Sequence, residues 1–259
     1  MTPDPAALLA ALPAWGFAFM LVLARFGAAM ALLPGLGEAS APAMIRAGLA
    51  LSVAALLLPV IFPSPPPAPQ ADLAAAGMVA AEVVTGLWLG WLARLLCIAL
   101  SITGQFIAYL LGLATVLQPD PELGAQSTAM ASLFDVAGPL IILVSGLYTL
   151  PLQALAGSYR LIPPGTLLPA ADSTATAVTA AAQCFALGLR LASPVVLASI
   201  VWHVAIGLIA RMVPRLQVYF VSLPGQIVGG LLLLASVFAA ILAAWQDAAR
   251  DGLAALPGL

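Results

Sequence analysis

Long stretches without a charged side chain constrain this chain more than any other feature of its sequence. The stretches from Val136 to Tyr159 and from Leu216 to Gln246 contain no Asp, Glu, Lys or Arg. Only 7% of all residues are charged, against roughly 25% in a soluble domain. An apolar run of about 20 residues matches the hydrocarbon core of a bilayer, where a charged group is costly. The sequence therefore predicts an all-α, polytopic integral membrane protein.

The apolar residues fall into about six hydrophobic zones. These are Trp15–Leu33, Ala47–Phe62, Glu82–Leu117, Val136–Tyr159, Thr174–Ala210 and Leu216–Gln246. The third zone exceeds what one crossing requires at about 1.5 Å per residue. We expect it to be a bent long helix or a hairpin, with the break at Ser101 to Gly104, and the fifth zone is also long enough to be broken. No composition shift marks a separate soluble domain, so we expect one membrane-embedded domain over residues 1–259.

Patterns that carry enzyme chemistry are incomplete or missing in this sequence. Ser145 lies in LVSGL, which lacks the first glycine of a GxSG nucleophile, and His203 is the only histidine. GLGE at 35–38 and FD at 134–135 match the paired acids of intramembrane aspartyl proteases only in part. There is no HExxH, no glycine-rich phosphate loop and no Cys/His cluster. We expect no enzymatic activity, no cofactor, no metal site and no nucleic-acid partner.

A few ionisable residues lie inside the apolar zones and are functional candidates for that reason. Glu82, Arg94, Arg190 and His203 would be the groups of a proton-coupled transporter, which stays an alternative function. They are few and widely spaced, which disfavours a proton relay. We expect Arg94 and Arg190 to pair with Glu82 or Asp135, and His203 to be hydrogen-bonded within the helix bundle.

Small residues recur at helical spacing and indicate close helix packing. Without a hydrophobic driving force in lipid, helices associate where small side chains let their backbones approach. The candidate packing or subunit-contact positions are Glu82, Gly86, Gly90, Gly104, Gly112, Gly225 and Gly229. Two uses are open at this point, packing within the chain and packing against other subunits.

Five passages, which are spread over almost the whole chain, carry a resemblance to one protein family. They are LARFGAAMALLPGLGEASAPAMIRAGLALSVAALLLP (23–59), AEVVTGLWLG (81–90), PDPELGAQS (119–127), YRLIPPG (159–165) and ARMVPRLQVYFVSLPGQIVGGLLLL (210–234). The last is the most specific, through Arg211, Pro214 and Pro224. In order and spacing, the chain resembles the FliR family of flagellar biosynthesis proteins, which is similar to the SctT component of type III secretion injectisomes. Two positions depart from the family pattern: Pro214 precedes Arg215 where Gln is usual, and Gly146 precedes Leu147 where His is frequent.

The resemblance implies a subunit of a protein export gate. Family members assemble with FliP and FliQ into a conical helical core in the bacterial inner membrane, at the centre of the flagellar basal body. Unfolded flagellar subunits pass through this core, and FlhA-like and FlhB-like proteins are further partners. Flagellar use is favoured by the overall motif match, and injectisome use of the SctT type is the alternative. The resemblance also implies that helices which read as membrane spans are partly lifted out of the bilayer.

The segment GLATVLQPDPE interrupts the apolar pattern after the third zone. In the family, the loop at this place lies in the lumen and acts as a plug. The resemblance assigns this role to Gly112, Leu113, Ala114, Thr115, Val116, Leu117, Pro119, Asp120, Pro121 and Glu122. The apolar half would fill a constriction, while the prolines would stop the helix and the two acids would face water. The alternative is an ordinary exposed loop.

Overall fold

Helices account for all the regular secondary structure that a computed structural model of the chain describes. It describes residues 5–64, 66, 69, 71–113, 129–212 and 218–259, with no strand in these ranges and with seven helices whose ends lie within them. They are α1 (Pro5–Leu32), α2 (Ala43–Ile61), α3 (Asp72–Leu110), α4 (Ala129–Val144), α5 (Thr149–Leu161), α6 (Ala170–Met212) and α7 (Val218–Ala254). The predicted all-α class is confirmed.

Five of these helices are long and apolar enough to cross a membrane. They are α1, α2, α3, α6 and α7, and the number of candidate spans rises to 6 if α4 and α5 together form one. In α3, 56% of the most apolar stretch is buried, whereas the figure is 11% for α2, α6 and α7. α3 is therefore the most buried of these five helices, whereas α2, α6 and α7 present most of their apolar side chains outward.

The third and fifth zones are not broken where length alone suggested a break. α3 runs without interruption through Ser101 to Gly104, and α6 continues through Pro194. The Thr103 hydroxyl donates to the Ala99 carbonyl (2.9 Å), four residues earlier. This side chain bonds within its own helix and leaves the helix backbone intact. The predicted break is wrong, and so is the hairpin.

The fourth zone, in contrast, does contain an interruption. α4 ends at Val144 and α5 begins at Thr149. Between them Gly146 adopts a φ of 74°, a left-handed conformation that glycine reaches without steric cost. Its carbonyl accepts the Thr149 hydroxyl at 2.9 Å, which fixes the turn into α5.

Two compact units make up the structure, and each draws on segments distant in sequence. The first contains Met1–Arg94, Ile142–Val178 and Asp251–Leu259, and the second contains Leu95–Ile141 and Thr179–Arg250. In the first unit, α1 packs on the beginning of α3 with Leu21 and Phe26 fully buried. The backbones meet closely there, because a Cβ atom at Gly86 would lie 3.1 Å from the Arg25 Cα, and one at Gly90 would lie 2.6 Å from the Ala29 carbonyl oxygen.

The second unit is organised around the remainder of α3. Trp245 of α7 is fully buried and its indole Nε1 donates to the Leu96 carbonyl at 2.8 Å. The Thr103 hydroxyl reaches the Gly188 carbonyl of α6 at 3.2 Å, where a Cβ on Gly188 would lie 3.0 Å from the Ala99 carbonyl oxygen. Small residues and single hydrogen bonds thus hold α6 and α7 to α3 in this unit.

We expect Gly86→Leu to destabilise the folded chain. A side chain at this position would push α1 away from α3, and overpacking of this kind costs about 1–3 kcal/mol. Gly77→Leu is the matched control, because Gly77 lies on the same helix with nothing within 4 Å of a Cβ. Thermal unfolding of both variants in the same mild detergent measures the difference, and equal midpoints would contradict close packing at Gly86.

Candidate functional site

A fully buried ion pair lies at the centre of the first unit. The guanidinium of Arg25 on α1 donates from Nε to Glu82 Oε2 (2.6 Å) and from Nη2 to Oε1 (3.1 Å) of the α3 carboxylate. Both side chains are 0% exposed. Two parallel hydrogen bonds of this type give the pair a fixed geometry as well as energy.

The remaining donors and acceptors of the pair are satisfied by α5 and the turn that follows it. Arg25 Nη1 donates to the Ser158 hydroxyl (2.9 Å), Nη2 also donates to the Ile162 carbonyl (3.1 Å), and the guanidinium lies 3.8 Å from the centroid of the Tyr159 ring. Glu82 in turn accepts from the Gly165 backbone N–H at 2.7 Å and from the Tyr159 hydroxyl at 3.4 Å. The pair therefore joins α1, α3, α5 and the turn at 162–165, which ends the YRLIPPG passage.

This arrangement is suited to holding helices together and not to moving protons. Arginine does not lose its proton in proteins, and the Glu82 carboxylate has partners on both oxygens. A buried charge pair with every group bonded fixes the mutual positions of the segments that carry it. The support for a proton-coupled transporter is weakened accordingly.

The expected pairing of Glu82 with Arg94 or Arg190 is wrong. Glu82 pairs with Arg25, and Arg94 pairs with Glu38 through both carboxylate oxygens. The sequence did contain a signal for the pairing of Arg25 with Glu82. Arg25 is the only charged residue in the first zone, and Glu82 is the only acidic residue in the third.

Asp135, an expected ion-pair partner, accepts the Ser101 hydroxyl of α3. The two remaining candidate groups of a proton relay lie on α6, where Arg190 is exposed. His203 is also exposed, and its Nδ1 lies 2.7 Å from the Ser199 carbonyl oxygen, so it bonds within its own helix.

The small-residue positions fall into two groups, those that lie against another helix of the chain and those with open space around them. Gly86 and Gly90 meet the α1 backbone, and a Cβ on Gly104 would lie 2.7 Å from the Phe134 ring of α4. On α7, a Cβ at Gly225 would make ordinary contact with the Trp202 ring at 3.4 Å, whereas one at Gly229 has nothing within 4 Å. The face at Gly229 is open, so its use between subunits stays a prediction.

The root of the predicted plug segment is anchored in the second unit. The Gln226 side chain of α7 donates from Nε2 to the Leu110 carbonyl at the end of α3, at 2.8 Å. Gly112 follows with a φ of 73°, and a Cβ there would lie 3.4 Å from Leu223. Leu113 is buried. The other residues assigned to the plug, Ala114 to Glu122, lie outside the described residues.

The structure describes two of the three motif residues in the passage at 210–234. Arg211 lies exposed in the last turn of α6, and Pro224 lies inside α7. Pro214 lies outside the described residues. In the described ranges no group of three or more His, Cys, Asp or Glu residues could hold a metal ion.

The long apolar helices and the buried ion pair that joins three of the helices define a polytopic membrane protein. Comparison with known proteins gives the family: residues 17–252 match the model of the bacterial export proteins, family 1, and the chain belongs to that family.

Similar proteins carry flagellar and secretion names. The chain is 34% identical to the flagellar biosynthetic protein FliR of Caulobacter vibrioides over 89% of its own length and 92% of the relative's. It is 28% identical to FliR of Bacillus subtilis, covering 84% of each chain. It is 25% identical to the secretion system apparatus protein SsaT of Salmonella typhimurium, over 81% of this chain and 82% of that one. The chain is thus a multi-pass protein of the bacterial inner membrane and a component of a flagellar or type III export apparatus.

We expect Glu82→Gln to be strongly destabilising. Removing one partner of a buried ion pair leaves an uncompensated charge and costs about 3–5 kcal/mol. Glu38→Gln is the comparison variant, because the Arg94–Glu38 pair is 34% and 24% exposed, so its loss should cost less than the loss of the fully buried pair.

A double-mutant cycle separates the ion pair from its surroundings. The variant carrying Arg25→Met and Glu82→Leu should unfold at a higher temperature than either single variant, since no charge is left unpaired. Additive losses of stability in this cycle would show that the two side chains do not act as a pair.

Proposed function

We propose that this chain is a subunit of the flagellar protein export gate, acting as one functional domain over residues 1–259. It assembles with FliP-like and FliQ-like subunits into a closed pore through which unfolded flagellar proteins are secreted. FlhA-like and FlhB-like proteins are the neighbouring partners of this gate. The identities to FliR of Caulobacter vibrioides (34%) and of Bacillus subtilis (28%) exceed the 25% identity to SsaT, and this supports the flagellar form over the injectisome form.

The observation that carries the proposal is the length of the apolar surface on α6. Exposed large apolar side chains run along this helix from Val178 (65% exposed) to Met212 (82% exposed). The two positions are about 51 Å apart at 1.5 Å per residue. Even at a tilt of 40° the helix would present about 39 Å to a hydrocarbon core of about 30 Å. Lipid cannot cover all of this surface, so partner proteins are needed for the rest.

The proposal predicts a complex whose formation depends on the open face of α7. Gly229→Leu should leave the isolated chain as stable as the wild type, because a side chain there meets nothing within 4 Å. It should reduce the yield of complex with FliP-like and FliQ-like subunits, since a large residue keeps a neighbouring helix from close approach. Gly229→Ala is the control and should assemble nearly normally.

Co-expression followed by a mass measurement in mild detergent tests both the proposal and this face. A stable complex supports the export gate. A self-contained, monodisperse monomer that ignores the co-expressed subunits would contradict it. Normal complex yield for Gly229→Leu would remove this face from the subunit contacts while leaving the gate itself supported.

The segment from Gly112 to Glu122 is proposed as the plug of the pore. The helix end that precedes it is held to α7 by the hydrogen bond from the Gln226 side chain to the Leu110 carbonyl. An apolar constriction excludes ions by dewetting. The segment follows an anchored helix end and is mostly apolar from Leu113 to Leu117, so it is suited to exclude ions from the pore.

Deletion of Leu113 to Leu117 should permit assembly but make the membrane leaky to ions. An open constriction no longer excludes water, whereas an unfolded chain can still pass, so export should fall only in part. Replacing Asp120 and Glu122 by Asn and Gln should have the smaller effect, because it changes only the solvation of the segment. Conductance of the assembled complexes across planar bilayers measures this, and an unchanged conductance after the deletion would assign the seal to another subunit.

A further inference from the structure

A groove between α1 and α2 in the first unit combines an apolar lining with a single cation. Its volume is about 410 Å³, within the range of about 300–1,000 Å³ typical of ligand sites. Its lining includes Leu23, Gly27, Met30, Ala43, Arg46 and Ala50. Arg46 is the only ionisable side chain in the lining.

Arg46 is not satisfied by the part of the chain that the structure describes. Its Nε atom is buried and has no hydrogen-bond partner there. A guanidinium offers five donors in a planar fork that matches the oxygens of a phosphate or carboxylate. The first turn of α2 adds to this, because Pro42 provides no side-chain cap and the positive end of the helix dipole favours an anion. The groove therefore has a place for an anionic group beside Arg46.

The position of Arg46 along α2 indicates the source of that anion. α2 has 19 residues, which span about 28 Å and match a hydrocarbon core of about 30 Å. Arg46 lies in the first turn, at the level of the lipid head groups. Leu23 and Ala50 line the groove farther along, at the level of the acyl chains. Met44, beside Arg46, is 86% exposed, so this end of α2 is open to surrounding lipid.

We propose that this groove binds one anionic phospholipid. The phosphodiester accepts hydrogen bonds from Arg46, and one acyl chain lies along the apolar faces of α1 and α2. The negative charge of the lipid replaces the carboxylate that the described residues do not supply. Bound lipid would fix α2 against α1 at the edge of the chain.

Native mass spectrometry of the full chain in mild detergent tests this, alone and with its co-expressed subunits. The wild type should retain one phosphatidylglycerol, and Arg46→Gln should weaken retention about tenfold, as expected for the loss of charge-assisted hydrogen bonds. Ala50→Phe, which fills the apolar part of the groove, should also reduce retention. Arg190→Gln is the matched control, because it removes an exposed cation from α6 and should change nothing. Thermal midpoints of all variants show whether each has folded.

Three further outcomes would overturn the proposal. The first is equal retention of phosphatidylglycerol by folded Arg46→Gln and wild type. The second is displacement of the lipid by millimolar inorganic phosphate, or equally tight retention of phosphatidylcholine, since either removes the requirement for an anionic lipid. The third is a photo-crosslinking residue at Ala47 that captures a protein instead of a lipid in intact membranes, which would assign the groove to a partner subunit.

Discussion

The buried pair of Arg25 and Glu82 is the interaction on which the first unit depends. It lies where α1 crosses α3, and its remaining hydrogen bonds reach α5 and the turn that ends at Gly165. In a low dielectric the alternative to this pairing is an isolated charge, which is far more costly than any single apolar contact. Neither residue can change partner without leaving the other uncompensated. The pair therefore specifies which helices meet and in which register.

The second constraint is the close approach of the α1 and α3 backbones, which the Arg25–Glu82 ion pair requires. Gly86 lies one turn after Glu82 and meets the Arg25 backbone, so the ion pair and the glycine contact lie at the same crossing. A larger residue at Gly86 would separate α1 from α3 and lengthen the bonds of Arg25. In the second unit Gly188 has the same role beside Thr103. Small residues at these crossings bring the polar groups of neighbouring helices within hydrogen-bond distance.

The exposed apolar surfaces of α2 and α6 differ in length. α2 has the length of one crossing and carries its cation at one end, which suits a helix that meets lipid. α6 is 43 residues long and exposes apolar side chains over more than the thickness of a bilayer. Under the proposed function, α2 would face lipid, whereas part of the apolar surface of α6 would face partner subunits.

The sequence by itself determined the all-α membrane class, because apolar runs of about 20 residues or more suit membrane helices, whereas a spanning β-strand needs only about 9–11 residues. It also located the small-residue positions, since a spacing of four residues places them on one face of a helix. Only the tertiary structure decided that Arg25 and not Arg94 pairs with Glu82, because the partners lie 57 residues apart and their meeting depends on how two helices are rotated against each other. The uninterrupted course of α3 and the groove at Arg46 were equally out of reach. In α3 the Thr103 hydroxyl bonds within its own helix, and the residue type alone does not show whether such a bond breaks the helix. The groove arises from contacts between α1 and α2, and composition and periodicity report only the properties of each segment alone.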